Sequence, residues 1–485
     1  MSILTSKERR IVLIRKIKGF WEEFWRNRIG RIGLIIVLLY VFVAIFAPWL
    51  TPYSPALSSQ AGRLAEGFAM PAWMTIFPAF ADLPPTTKSS IYWEIMQEHP
   101  SVEIWPGKTL VMEYSGGQPE IVDIYLAYNF SYPYSPPYSF NFGFHWISEN
   151  VRHTRYYLEL TTIEPLPESN QTRIWPLPSV DPLPSEKSVT SYVHMESSDD
   201  RLLRQLSLEP GVDNIAEMIF SQKGNYSLQL HVRFMPLGED ATCKITIENG
   251  YFNIPGLIHG ILGTEWFGGD VFSQLLYGAR LSLMIGISAA IISTSLGIIV
   301  GVAAGYMGGV SDEVIMRIVD ILLCLPVLPL LIALIFLFGK SVWYIVLLVA
   351  VFGWQGLSRM IRSQVLSIRE TAFIECARAS GASKAYIMTK HLIPNVLPIA
   401  FASLVLSVPG AILTEAGISF LGFGDPGAST WGRMLNGAFY YGAFAQYAWW
   451  YILPPGIAIT TLCIAFVFIG HAVDEIVNPR LRRRR

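Results

Sequence analysis

The sequence predicts an all-α polytopic membrane protein with six transmembrane helices, into which a β-rich extracytoplasmic domain is inserted between helices 1 and 2. Three observations predict it. Of 485 residues, 52% are hydrophobic and only 15% charged, and the mean hydropathy is +0.39, which is apolar for a soluble chain. The apolar residues collect in runs near membrane length. Between the first two runs lies a long polar block whose residues alternate with the period of a strand.

The first element is a basic arm over residues 1–31, carrying Lys7, Arg9, Arg10, Arg15, Lys16, Lys18, Arg26, Arg28 and Arg31. The apolar run 32–50 follows. A hydrocarbon core of about 30 Å needs roughly 20 helical residues, so this run is long enough to cross. A signal peptide also starts basic, but its apolar core is shorter and no A-x-A cleavage pattern follows, so the run reads as a retained helix. Further spans are expected at Leu281–Tyr306, Ile318–Phe338, Val342–Gly356, Val396–Leu413 and Tyr451–Gly470, within a core over residues 260–478. Six spans put both termini on one side. The basic arm, the tail 479–485 with Arg480, Arg482, Arg483, Arg484 and Arg485, and the loop bearing Arg359, Arg362, Arg369, Arg378, Lys384 and Lys390 all fall on that side. By the positive-inside rule it is the cytoplasm.

The block 51–259 is then extracytoplasmic. YYLELTTI from Tyr156, SVTSYVHM from Ser188, YSLQLHVRF from Tyr226 and CKITIENGYF from Cys243 read as strands separated by Pro, Gly and Asn turns, in the manner of a sandwich. Asn129, Asn170 and Asn225 begin N-x-[ST] triplets, acceptors for glycans where the organism has that machinery. Of the four cysteines only Cys243 lies in this block, so the block has no internal disulfide to form.

Chemistry of the usual kinds is missing from the sequence. It has no G-x-x-x-x-G-K-[ST] to cradle nucleotide phosphates, no H-E-x-x-H zinc pair and no G-x-S-x-G elbow. The net charge of −1 gives no basic field for nucleic acid. The informative stretch is 370–398: a helix-compatible run Thr371–Ala379, Gly381 suited to the positive φ that ends a helix, a second run Lys384–Leu392, and a stop at Pro394. From the residues alone this is either a docking element or an ordinary cytosolic loop. Arg317 and Asp320 are spaced as an intrahelical pair near the headgroups, with a gate as the alternative. Glu415 either lines a path or marks a helix end in water. Gly297, Gly301 and Gly305 form a small-residue face for close helix contact. The aromatics Tyr440, Tyr441, Phe444, Tyr447, Trp449 and Trp450 read as an interfacial belt, with substrate contact as the alternative.

The stretch 370–398 resembles the EAA loop of ABC importer permeases, whose pattern is E-A-A, three residues, G, nine residues, I-x-L-P. Glu375, Cys376 and Ala377 stand at E-A-A, Gly381 at the glycine, and His391, Leu392, Ile393 and Pro394 at the end; Cys376, His391 and Ile393 depart from it. Residues Trp21–Pro55 and Leu262–Leu283 are similar to the C-type permease of dipeptide and oligopeptide importers. The second segment keeps Gly263, Thr264, Gly268, Asp270, Ser273, Gly278, Arg280 and Ser282, and departs at Glu265, Gly269 and Gln274. GYMGGVSDEVIMRIVDILLCLP from Gly305 and EAGISFLGFG from Glu415, with Trp431-Gly432, match too. The block 51–259 is not covered.

The resemblance implies a non-catalytic permease subunit in the cytoplasmic membrane. Its loop would be the coupling helix for two ATPase subunits that bind ATP and Mg, with no cofactor or metal in this chain. It further implies a homologous B-type permease, an extracytoplasmic substrate-binding protein, and a di- or oligopeptide as substrate, with oligosaccharide, nickel and glutathione as alternatives. The inserted block is expected to cap the outer mouth. An envelope scaffold is the reading from a different class, and the coupling loop argues against it.

Overall fold

The computed structural model describes residues 18–53, 55, 63–116, 120–166, 189–199, 203, 209 and 214–477. The basic residues before Lys18, the tail arginines and Asn170 lie outside the described residues. The chain forms two compact units, one of Met1–Ala61 with Asp270–Arg485 and one of Gly62–Gly269.

The helical unit begins with α1 (Arg28–Leu50), capped by Asn27, whose Oδ1 accepts from the Gly30 amide at 3.0 Å. The chain returns to this unit at α2 (Val271–Met307), then α3 (Gly309–Cys324), α4 (Val327–Phe338), α5 (Val342–Val351), α6 (Gln355–Ile368), α7 (Ala372–Ala379), α8 (Lys384–Ile387), α9 (Ile393–Ile418), α10 (Trp431–Tyr440) and α11 (Trp449–Val477). Among the described residues, five helical stretches are long and apolar enough to cross a membrane: Arg28–Leu50, Val271–Met307, Val342–Ile368, Lys384–Phe423 and Trp449–Val477. A sixth exists only if α3 and α4 count as one.

The expected straight span Ile318–Phe338 is instead bent by 88° between α3 and α4. Pro326 explains the break. It supplies no amide to the helix ladder and forces the preceding Leu325 out of the helical region, to φ −72°, ψ 138°. The expected pairing of Asp320 with Arg317 is also replaced. Asp320 bonds Arg359 of α6, and Asp312 takes a bidentate grip from Arg362, with both N···O distances 2.5 Å. Two of the loop's basic residues are thus committed to holding α3 against α6.

Glycine allows the closest helix contacts. A Cβ at Gly301 would stand 2.6 Å from the Ser358 carbonyl oxygen, and one at Gly305 would stand 2.9 Å from Val365, so the Gly297/Gly301/Gly305 face is the seat of α6 within this chain. In the same way a Cβ at Gly30 would meet Ala472 of α11 at 2.6 Å.

The second unit is a two-layer β-sandwich. One sheet has the order β3 (Val102–Trp105), β4 (Leu110–Ser115), β10 (Thr242–Ile254), β6 (Asn141–Arg152), β8 (Val189–Glu196), with β1 (Thr87–Ser90) also on β10. The other has the order β2 (Glu94–Gln97), β5 (Val122–Tyr132), β9 (Gly224–Pro236), β7 (Thr154–Leu166). All pairs given registers are antiparallel, as short turns favour. The inward residues of both sheets form one core, in which Tyr114 stacks on Phe234; Phe130 packs against that core with its ring tilted 46° to that of Phe252. Asn249, at φ 53°, sits where β10 shifts register against β6, between Glu248 and Tyr251. The sequence boundary at His259 falls inside this unit. Its closing segment pairs back onto its opening one, with the Leu64 amide on the Gly268 carbonyl at 3.2 Å and the Met70 amide on the Leu257 carbonyl at 2.7 Å.

Candidate functional site

The helix pair expected at 370–398 is present. Thr371 stands at the N-cap of α7; the chain turns through Gly381 at φ +80°, and Ser383 caps α8, its Oγ accepting from the Tyr386 amide at 3.2 Å. The left-handed region at Gly381 is costly for a residue with a Cβ.

Pro394 does not stop the second helix, as the sequence predicted. The backbone passes from α8 through a π turn, Met388–Leu392, directly into α9, with Pro394 in the first turn of α9. The Ile393 amide reaches back to the Met388 carbonyl. Widening the turn removes the demand for the amide that Pro394 lacks, and the Asn395 side-chain amide donates to the His391 carbonyl at 2.7 Å. The outcome is one helical stretch, Lys384–Phe423.

The pair has two faces. Ile374, Ile387 and Leu392 are fully buried in a core with Val302 of α2, Ile361 and Val365 of α6, and Val396 and Ala400 of α9. Glu375, Cys376, Arg378 and Gly381 are exposed, and Ala377 is half-buried. His391, where the EAA pattern has isoleucine, lies between Phe373 of α7 and Tyr386 of α8, its ring 6.1 and 5.8 Å from theirs. The departure therefore serves as an aromatic bridge across the turn.

The other motif residues hold helix ends. Asp270 caps α2, its Oδ2 accepting from the Ser273 amide at 2.7 Å and from the Ser273 hydroxyl at 2.5 Å. Trp431 is buried, donates Nε1–H to the Leu275 carbonyl at 2.9 Å, meets Tyr40 of α1 edge to face at 5.6 Å, and packs on Gly278. Arg280 is exposed on α2. Gly263 (φ +64°) and Thr264 belong to the second unit, where the buried Thr264 hydroxyl donates to the Glu66 carbonyl at 2.5 Å and accepts from the Ala69 amide at 2.8 Å. Glu265 and Gln274, both departures from the family pattern, are buried.

Glu415 does not mark a helix end in water. It is 1% exposed and accepts from the Ser419 hydroxyl at 2.6 Å. The aromatic belt is split: Tyr440, Phe444 and Tyr447 are exposed, whereas Trp450 is buried. Asn129 and Asn225 face outward on neighbouring strands, each opposite the other triplet's serine (Asn129 with Ser227, Ser131 with Asn225). The Asn129 amide donates to Glu94 at 2.9 Å. No group of His, Cys, Asp and Glu able to hold a metal occurs among the described residues.

One cavity of about 250 Å³ lies inside the helical unit, lined by residues that include Ser293, Leu331, Phe352, Ser407, Ala411 and Thr414, none of them charged. Sequence reasoning missed it because its walls come from four helices and a break, with no local motif.

Residues 17–71 match the family described as the N-terminal TM domain of oligopeptide transport permease C, and residues 295–483 match the binding-protein-dependent transport system inner membrane component. A peptide permease protein of Brucella suis biovar 1 is 36% identical over 219 residues, 45% of this chain and 72% of the relative. The dipeptide transport system permease protein DppC of Bacillus subtilis is 36% identical over 233 residues, 48% of this chain and 72% of that one. The oligopeptide transport system permease protein OppC of the same organism is 33% identical over 222 residues, 46% of this chain and 72% of that one. Membrane-length helices locked to an exposed helix pair define a multi-pass transport permease of the inner membrane. The chain belongs to the binding-protein-dependent transport system inner membrane component family, in its oligopeptide permease C branch. Neither family match reaches residues 72–294, which hold most of the sandwich.

Proposed function

We propose that this chain is the C-type permease of an ATP-driven importer of di- and oligopeptides, and that Glu375, Cys376, Ala377, Gly381, His391 and Pro394 belong to its coupling element. The relatives named as dipeptide and oligopeptide permeases support the substrate class. In this reading both termini and the loop 370–398 face the cytoplasm, and residues 51–259 face outward. A homologous B-type permease completes the pathway, two ATPases carry ATP and Mg, and an extracytoplasmic binding protein delivers the peptide.

The observation that carries the coupling role is the core joining Ile374, Ile387 and Leu392 to α2, α6 and α9. A packed core transmits a push as a displacement, because its side chains have nowhere to yield. Force applied to the exposed face of α7 therefore moves together the ends of three membrane-length stretches, those containing α2, α6 and α9, and alternating access follows as a rigid-body shift. The neutral cavity among Ser293, Ser407 and Thr414 suits a path that passes peptides of differing side-chain charge, leaving selection to the binding protein.

The test is to reconstitute the importer with Glu375→Lys or Gly381→Asp. Glu375→Lys replaces the one carboxylate of α7 with a cation on its exposed face. Gly381→Asp has open space but a strained backbone, at roughly 1 to 2 kcal/mol. Both variants should hydrolyse ATP while peptide uptake per ATP collapses, and normal uptake in both would refute the coupling role.

A further inference from the structure

A second cavity, of about 430 Å³, opens beside the helix pair and is lined by Tyr306, Met307, Arg369, Glu370, Glu375, Arg378 and Lys384. Its charges do not cancel. Arg369 is already engaged: its Nη1 donates to the Gly305 carbonyl at 3.2 Å, and its Nη2 stands 3.7 Å from Glu370. Arg378 and Lys384 have no carboxylate partner among the described residues; of the two carboxylates that line the cavity, Glu370 stands by Arg369, which leaves Glu375 to oppose them. Position limits what could occupy it. α2 closes on Tyr306 and Met307, and Tyr306 is an aromatic of the kind found at headgroup level. The 37 residues of α2 span about 55 Å, beyond the roughly 30 Å of a hydrocarbon core. The cavity opens at that end of α2, and basic pockets between membrane helices on the cytoplasmic side are sites for anionic headgroups.

We propose that this cavity binds a phosphate group between Arg378 and Lys384, that of an anionic phospholipid headgroup, and thereby ties the coupling helix α7 to the membrane surface. The occupant bridges α7 and α8 to the ends of α2 and α6. It adds to the hydrophobic core a contact whose strength depends on lipid composition. The proposal rests on the coupling reading only for which side of the membrane the cavity faces.

The experiment is native mass spectrometry of the purified full chain with phosphatidylglycerol or phosphatidylcholine, without ATPases and then with them. Phosphatidylglycerol should be retained preferentially. Its preference should fall roughly fivefold for each cation removed in Arg378→Gln and Lys384→Gln, survive in Arg378→Lys, and rise in Glu375→Gln. Those opposite signs separate a site from general loss of folding. Equal retention of the two lipids, or an unchanged preference in the double glutamine variant, overturns the proposal. Displacement by millimolar inorganic phosphate would make the free ion the ligand, and release on adding the ATPases would make the cavity a protein socket; either result also overturns it. Because binding is read on the chain alone, its failure is distinguishable from a failure of coupling, which the Glu375→Lys uptake assay reads separately.

Discussion

Single residues here act mainly by holding others. Asp123 in β5 illustrates this on the outer face of the four-stranded sheet: it accepts from Arg233 Nε at 2.6 Å and lies 2.8 Å from His231 Nε2. Burial pushes the Asp123 carboxyl up, but the bonds from Arg233 and His231 outweigh it and hold the group below the usual carboxylate range. A carboxyl whose pKa is lowered on folding stabilises the fold above its unfolded value of about 3.9 and loses that contribution as pH falls through the folded value. The sandwich should therefore melt at a lower temperature below pH 4 than at pH 6, and Asp123→Asn should shrink that difference. A variant whose melting temperature keeps the full pH dependence would show that other carboxylates carry it. None of this was legible in the sequence, because Asp123 and His231 are brought together by strand register. The turn at Gly381 was legible because a positive φ at a helix end depends on neighbours a few residues away. The role of His391 was not, since its ring acts against Phe373 across the turn.

At the scale of elements, glycine spacing and proline placement decide the helical unit, and they differ in how far they could be read. The four-residue recurrence of Gly297, Gly301 and Gly305 was readable as a contact face, and α6 fills it. The neighbour cannot rotate away from a Cβ at Gly301, because the nearest atom is the Ser358 backbone oxygen. Gly301→Leu should therefore separate α2 from α6 and cost about 1 to 3 kcal/mol, the usual penalty of overpacking. It should be read as a lower melting temperature in detergent. Gly356→Ala on α6, where nothing stands within 4 Å, is the control and should be neutral or slightly stabilising. Equal effects of the two would mean that helix propensity, and not contact, sets the result. The prolines were read less well. Pro326 breaks a run whose composition suggested one straight span, whereas Pro394 ends nothing, because the π turn before it absorbs the missing amide. Composition records the proline but not the backbone that adapts to it.

At the scale of the whole molecule, the chain interrupts a permease with a unit that carries its own core. That core runs from Ile91 to Ile254 and draws on both sheets, so its contacts need nothing outside the insertion. The strands that build it were legible as alternating segments, but their pairing order was not, since β9 joins β5 and β7 across long stretches of chain. The place to cut is set by the segments that pair beneath it. The Met70 amide bonds the Leu257 carbonyl and the His259 amide bonds the Met70 carbonyl, each within 2.8 Å, while Thr264 holds Glu66 and Ala69. Removing 72–255 and joining Met70-Pro71 to Gly256 through a short Gly/Ser linker keeps all of these bonds, whereas a cut that also took out Glu66 and Ala69 would strand the buried Thr264 hydroxyl. The excised segment 72–255, expressed alone, should be soluble and unfold cooperatively, because a sandwich with a single shared core needs no membrane. The shortened permease should still enter the membrane and retain ATPase activity in the complex. If the insertion seats the binding protein or retains substrate, peptide uptake and binding-protein affinity should both fall. Unchanged values for both would leave the sandwich no part in transport, and a fragment that fails to fold would mean that the helical unit supplies something its core lacks.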